Sequence, residues 1–75
     1  MLPLSKCKLG GTYTISDIKG LSLSITRRLY ELGLLSGQKL KFARRSFLGR
    51  AFLIEIRGYT LSLRSNIASS IFVEG

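Results

Sequence analysis

The sequence predicts a mostly β fold: a small barrel of five short strands, with one short α-helix between the first and second strands. Apolar and polar residues alternate in several separate segments, and turn residues, mostly glycine, divide these segments from one another. Only one segment repeats its apolar residues at helical spacing. Since 75 residues provide only one small core, we expect residues 1–75 to form a single domain.

The first strand is predicted at residues 12–18, where apolar and polar residues alternate after a Gly-Gly turn. The helix follows it, because three apolar residues recur at i, i+4 and i+7: Ile25, Leu29 and Leu32. Ser22 or Ser24 can cap the start of this helix, and Gly33 suits its end. A helix of about ten residues is marginal alone, so we expect it to pack on the sheet.

Alternation resumes at Gln38 and predicts a second strand with a basic outer face. A third strand is predicted over residues 52–57, a tight hairpin turn at Gly58-Tyr59, a fourth strand over 61–64 and a short fifth strand over 71–73. Residues 65–70 are predicted as a turn, with one turn of 3-10 helix as an option. Five strands and one helix fit an SH3-like barrel best, and an OB-like barrel is the alternative.

The side-chain inventory excludes several kinds of site. The chain has no histidine, one cysteine (Cys7) and four acidic residues that are far apart in sequence. Zinc and iron sites need clusters of such ligands, and a catalytic triad needs histidine. We therefore expect no metal site, no cofactor and no enzymatic activity, and we expect Cys7 to be a small, partly buried residue.

Charge points to a binding role instead. Twelve basic and four acidic residues give a net charge of +8, which favours an acidic partner. The basic residues concentrate between Lys39 and Arg50, where no acidic residue intervenes. We expect a cytoplasmic protein, with peripheral association at the inner face of the cell membrane as an option, because no signal sequence or membrane span is visible.

Two runs, RRLYELGLLSGQKLKFARRSFLG and IEIRGYTLSLR, resemble the FeoA family of small SH3-like proteins of bacterial ferrous iron uptake. The matching elements cover nearly the whole chain: Arg28-Leu29-x-Glu31-Leu-Gly-Leu34, Gly37, Arg44-Arg45, Leu48-Gly49, Arg57-Gly58-Tyr59, Leu61-x-Leu63-Arg64 and Ala68-x-x-Ile71-x-Val73. The sequence departs from the family at Arg50-Ala51, where members commonly have Asp-Pro. This connection is therefore positive and flexible here.

The resemblance implies an accessory protein that binds the membrane GTPase transporter FeoB, through its cytosolic GTP-binding region or its membrane part, and modulates its assembly or activity. Any link to transition metal ions is then indirect. Self-association is a further option. Charge, exposure and position in loops or near helix ends select the candidate partner-binding residues: Arg27, Arg28, Leu35, Arg44, Arg45, Phe47, Leu48, Arg50 and Tyr59.

Two other functions stay open from the residues alone. A small nucleic-acid-binding barrel using the basic second strand is the main alternative, although nucleic acid is the less favoured partner. A free-standing relative of the SH3-like domain that ends some metal-dependent repressors is the other, and it would not read DNA itself because the sequence has no helix-turn-helix. Near the basic stretch, Phe42 and Phe52 fall on the apolar phase of their strands, so we expect them in the core.

Overall fold

A six-stranded antiparallel sheet carries two helices and two 3-10 turns. In this computed structural model the backbone is described for residues 1–75, and the side chains for all of these except Phe47. The strands are β1 (Leu2–Pro3), β2 (Thr12–Ile18), β3 (Lys39–Arg45), β4 (Ala51–Ile56), β5 (Tyr59–Arg64) and β6 (Ile71–Glu74). The helices are α1 (Leu23–Glu31) and α2 (Ser65–Ala68), and the 3-10 turns are Leu4–Lys6 and Phe47–Gly49.

The sheet order is β1-β6-β2-β3-β4-β5, which corrects the predicted five-stranded closed barrel. The additional strand is β1, whose two residues are too few to show any alternation. It pairs with β6, so that Leu2 lies opposite Val73. In the described backbone β1 and β5 are the two ends of the sheet and do not pair with each other. The fold is mostly β as predicted, but the sheet is antiparallel and open and does not close into a barrel.

Local signals set both ends of α1, as the sequence predicts. Ser22 is the N-cap, and its hydroxyl accepts a hydrogen bond from the Ile25 N–H at 3.3 Å. At the other end Gly33 has a φ of 100°, which glycine adopts without strain. The Gly33 N–H donates to Tyr30 C=O and the Leu34 N–H to Leu29 C=O, both at 3.0 Å. These two bonds form a Schellman motif.

Two β-bulges bend the sheet around its core. One interrupts the β2–β6 register between Ile15 and Asp17, and the other the β3–β4 register between Phe42 and Arg44. Phe42 and Phe52 are buried as expected, and their rings stack with centroids 5.1 Å apart. The core is apolar throughout, since no polar or charged residue is buried among the described side chains. From α1 only Leu29 is fully buried.

Two turns differ from the prediction. The β4–β5 hairpin turns at Arg57 and Gly58, one residue earlier than expected, and Tyr59 already belongs to β5. Both turn residues have positive φ angles, 52° and 86°, as a type I′ turn requires. The segment after β5 forms one turn of α-helix at Ser65–Ala68 instead of a 3-10 turn.

Cys7 is buried, as expected for a small residue near the first strand. Its Sγ donates a hydrogen bond to the Pro3 carbonyl at 3.6 Å. Burial raises the pKa of the Cys7 thiol, and a hydrogen bond with Tyr13 partly opposes this effect. The thiol is therefore a packing group, with a reduced thiolate fraction at neutral pH.

Removing one methyl group from the core should lower the free energy of unfolding. Ile54 is fully buried, so Ile54→Val is expected to cost about 1 kcal/mol. The same change at Ile25, which is 39% exposed, should cost less than about 0.5 kcal/mol. Urea denaturation followed by circular dichroism measures both, and equal losses would contradict the burial of Ile54.

The helix cap gives a second expectation. Ser22→Ala removes the acceptor for the Ile25 N–H and should lower the free energy of unfolding by about 1 kcal/mol. Ser24→Ala, inside the first turn of the same helix, is the matched control and should be neutral or slightly stabilising. A loss at Ser24 as large as that at Ser22 would show that the cap lies elsewhere.

Cys7 should react slowly with iodoacetamide near pH 8. Burial restricts access, and the raised pKa means that less thiolate is present than in an exposed cysteine at the same pH. The alkylation rate, measured by mass spectrometry, should rise by more than about tenfold in denaturing urea. A native rate equal to that of a free cysteine would contradict the burial of this thiol.

Candidate functional site

The described side chains do not form a cluster suited to holding a metal ion. No group of three or more histidine, cysteine, aspartate or glutamate residues converges among them. None of the helices in the described chain is both long enough and apolar enough to cross a bilayer. Two surfaces of the described structure, one charged and one apolar, are candidates for binding a partner.

The basic residues are largely free of internal ion pairs. Among the described side chains a single ion pair is found, between Lys19 Nζ and Asp17 Oδ2 at 3.9 Å. The sequence allows Arg27 and Arg28 to pair with Glu31 on the same helix, yet neither forms such a contact in the described structure. Both arginines are exposed. Their charges are thus available to a partner.

Four of the predicted residues form one surface at the β3–β4 connection. We call it the loop surface, and its members are Arg44, Arg45, Leu48 and Arg50. Leu48 stands at its tip, 70% exposed and with a φ of 70°. A branched side chain at positive φ is strained, and strain of this kind is concentrated at functional positions. Phe47, also predicted, has its side chain outside the described part of the structure.

Arg45 has a structural role in addition. Its guanidinium carbon lies 5.5 Å from the Phe42 ring centroid and 5.2 Å from that of Phe52. These are cation–π distances, so Arg45 covers the end of the aromatic stack. The backbone of the connection is fixed by Ser46, whose hydroxyl accepts a hydrogen bond from the Ala51 N–H at 2.8 Å. Of the three arginines in the loop surface, Arg45 alone makes a cation–π contact in the described structure.

A second candidate surface is an apolar groove of about 330 Å³ between α1 and β5. We call it the helix–strand groove. Apolar side chains from three elements line it: Ile25, Leu29, Leu32, Leu61, Leu63 and Ile67. Arg28 and Arg64 lie at its rim and are exposed. Of these residues the sequence singled out only Arg28 as a binding candidate. The sequence signal that could have indicated the groove is the apolar stripe of the helix, since its members Ile25 and Leu32 line the groove.

Leu35 and Tyr59 lie near the C-terminal end of α1. Leu34 is buried, whereas Leu35 is 45% exposed, so one leucine of the pair anchors the turn and the other faces solvent. Tyr59 is 40% exposed, and its hydroxyl passes 3.4 Å from the position that a Cβ on Gly33 would occupy. Tyr59 therefore braces the helix end while presenting part of its ring to solvent.

The backbone connects the two candidate surfaces. Ala51 pairs with Arg64, and the Ser65 N–H donates to the Arg50 carbonyl at 3.0 Å. The backbone of Arg50, in the loop surface, thus adjoins the end of β5 that lines the groove. The predicted candidates divide between the loop surface and the region of α1, and Arg64 lies at the junction.

Comparison with known proteins gives a consistent result. The FeoA domain family matches residues 2–75. The solution structure of FeoA from Chlorobium tepidum has 33% sequence identity and a TM-score of 0.90, with 97% of this chain and 69% of that chain covered. A search of curated proteins found no match.

Two more distant structures share the fold. Stenotrophomonas maltophilia FeoA complexed with zinc, described as a prokaryotic SH3 domain protein, has 23% identity and a TM-score of 0.84 over 99% of this chain and 91% of that chain. A manganese-dependent transcriptional repressor has 24% identity and a TM-score of 0.86, over 96% of this chain and 40% of that chain. The family match over almost the full length, together with the relative at 33% identity, is sufficient for assignment. This chain belongs to the FeoA family.

Proposed function

We propose that this protein is a cytoplasmic accessory protein of bacterial ferrous iron uptake that binds the membrane GTPase transporter FeoB and modulates its assembly or activity. It acts as a single FeoA-like domain, by binding and without catalysis. Family membership supports the link to ferrous iron transport. The Stenotrophomonas maltophilia relative has itself been proposed to act as a bacterial ferrous iron transport activating factor.

The loop surface is the observation that carries this proposal. Arg44 and Arg50 are exposed and form no ion pair in the described structure. Leu48 lies between them in the sequence, and its side chain is largely exposed to solvent. Exposed arginines are among the residues that dominate protein interfaces. A net charge of +8 also favours association with an acidic surface by electrostatic steering.

Direct iron transport by this chain is not part of the proposal. Ferrous iron is held in proteins mainly by histidine and carboxylate groups. The chain has no histidine, and its four carboxylates do not converge among the described residues. The protein would therefore affect iron movement through its contact with the transporter.

Charge reversal in the loop surface should weaken binding to the cytosolic GTP-binding region of FeoB. For the double variant Arg44→Glu/Arg50→Glu, the dissociation constant is expected to rise about tenfold or more, through lost contacts and slower association. The measurement is a titration of labelled protein by backbone amide NMR at two salt concentrations. Arg45 is left unchanged because it covers the Phe42–Phe52 stack.

The matched control is Lys8→Glu/Lys39→Glu, which changes net charge equally at two exposed positions outside the loop surface. This control should raise the dissociation constant by about twofold or less. Equal losses in the two double variants would show that overall charge, and not the loop surface, governs binding. No binding of the unaltered protein to either the cytosolic region or full-length FeoB would refute the proposed function.

Single-stranded RNA in a parallel titration tests the nucleic-acid alternative. Phe42 and Phe52 cannot stack on bases in that alternative, since they are buried in the core and stacked on each other. RNA binding that is stronger than FeoB binding and collapses as salt rises would favour the alternative.

A further inference from the structure

We infer that the free edge of β5, together with the helix–strand groove, binds an extended acidic segment of a partner protein by adding it to the sheet as a further strand. This inference concerns the chemistry of the partner and rests on the docking function proposed above. Three independent features converge on this edge: unpaired backbone groups, an apolar floor and arginines at the rim.

The hairpin geometry identifies the free backbone groups. In a type I′ turn over Arg57 and Gly58, Ile56 and Tyr59 form the hydrogen-bonded closing pair. Hydrogen-bonded and non-hydrogen-bonded pairs then alternate along β5. The N–H and C=O groups of Thr60 and Ser62 therefore point away from β4. No partner for them is found in the described structure, where β5 pairs only with β4.

The two edges of the sheet differ in how well they are protected. The β1 edge has two residues, one of which is Pro3 and lacks an N–H. The β5 edge has six residues, pairs with β4 without a bulge and contains neither proline nor lysine. Proteins usually shield exposed edges by short length, proline, lysine or bulges. β5 has one charged residue, Arg64, at its end, and α1 leaves an open groove of about 330 Å³ beside it, so the edge is suited to receive another strand.

The helix–strand groove can accommodate side chains of a bound strand. Leu61 and Leu63 alternate with Thr60 and Ser62, and they face the same groove as Leu29 of α1. A strand added beyond β5 would direct every second side chain into this groove and the intervening ones towards solvent. The fitting segment therefore alternates apolar and polar residues.

Charge selects acidic residues for the solvent-facing positions. Arg28 and Arg64 line the groove and have no ion pair in the described structure. The acidic side chain nearest in register is Glu55, which lies on the solvent-facing side of the sheet opposite Thr60 and is separated from the added strand by β5. Glu31 belongs to α1 but does not line the groove. A second copy of this chain is the less suitable occupant, since two molecules of charge +8 repel each other.

The direct test uses a synthetic decapeptide, acetylated EVELEVELEV, in which apolar residues alternate with glutamate. Backbone amide NMR should show shifts centred on Thr60 and Ser62, and slowed hydrogen exchange of their amides in the complex. A peptide of the same composition with its acidic and apolar residues in two separate blocks, and the lysine analogue KVKLKVKLKV, should bind at least about tenfold more weakly.

Variants of the edge separate strand addition from simple charge attraction. Ser62→Pro removes an outward N–H at an edge position where proline is compatible with the sheet, and it should weaken peptide binding about tenfold or more. Ser62→Ala keeps the N–H and should bind like the unaltered protein. Arg28→Glu/Arg64→Glu should also weaken binding, and it serves as the second test if Ser62→Pro does not fold.

Peptide shifts confined to Lys39 and Lys41, or equal affinity of Ser62→Pro and Ser62→Ala, would overturn the inference. Repeating the FeoB titration with the Ser62 pair distinguishes the two proposals. If FeoB binds both Ser62 variants equally, the docking function stands and the edge inference fails. If the peptide binds the edge but FeoB does not bind at all, the edge inference stands and the proposed function fails.

Discussion

One extra residue in β3 governs much of this structure. The register between β3 and β4 shifts between Phe42 and Arg44, where Phe42 pairs with Ile54 and Arg44 with Leu53. This bulge places Arg45 on the same side of the sheet as Phe52, the residue it pairs with. The guanidinium group then covers the stacked Phe42 and Phe52 rings. Without the shift, Arg44 and not Arg45 would pair with Phe52 and lie on that side of the sheet.

The same bulge explains how a small basic protein keeps an apolar core next to an arginine-rich loop. Arg45 adds a cation–π contact to the core, whereas Arg44 and Arg50 remain in solvent. The connection between β3 and β4 is held by the Ser46 hydroxyl and carries the exposed Leu48. Core packing and surface charge are thus arranged by one local distortion of the sheet.

Signals between neighbouring residues in the sequence were sufficient to predict most helices and strands, but they were insufficient to predict the surfaces. The β2 segment and the Gly33 stop depend on neighbours in sequence and were predicted correctly, and Ser22 is one of the two caps that the sequence allowed. β1 was missed because it depends on β6, about 70 residues away in the chain. The groove was missed because α1 and β5 are distant in the chain, and only the fold brings Leu29 and Leu61 to the same groove. Arg27 and Arg28 lie at helical spacings from Glu31 that permit ion pairs, and the described structure shows none, because spacing permits such contacts without requiring them.

The position of β6 has a consequence for how the protein is made. β6 is the last of the six strands in chain order, yet it lies between β1 and β2 inside the sheet. Its residues Ile71 and Val73 are fully buried, so the core is incomplete until β6 is in place. Until then both β1 and the β6-facing edge of β2 lack their neighbour. During synthesis the earlier strands must therefore wait for β6, and a domain without this strand would expose aggregation-prone β-strand edges to its surroundings.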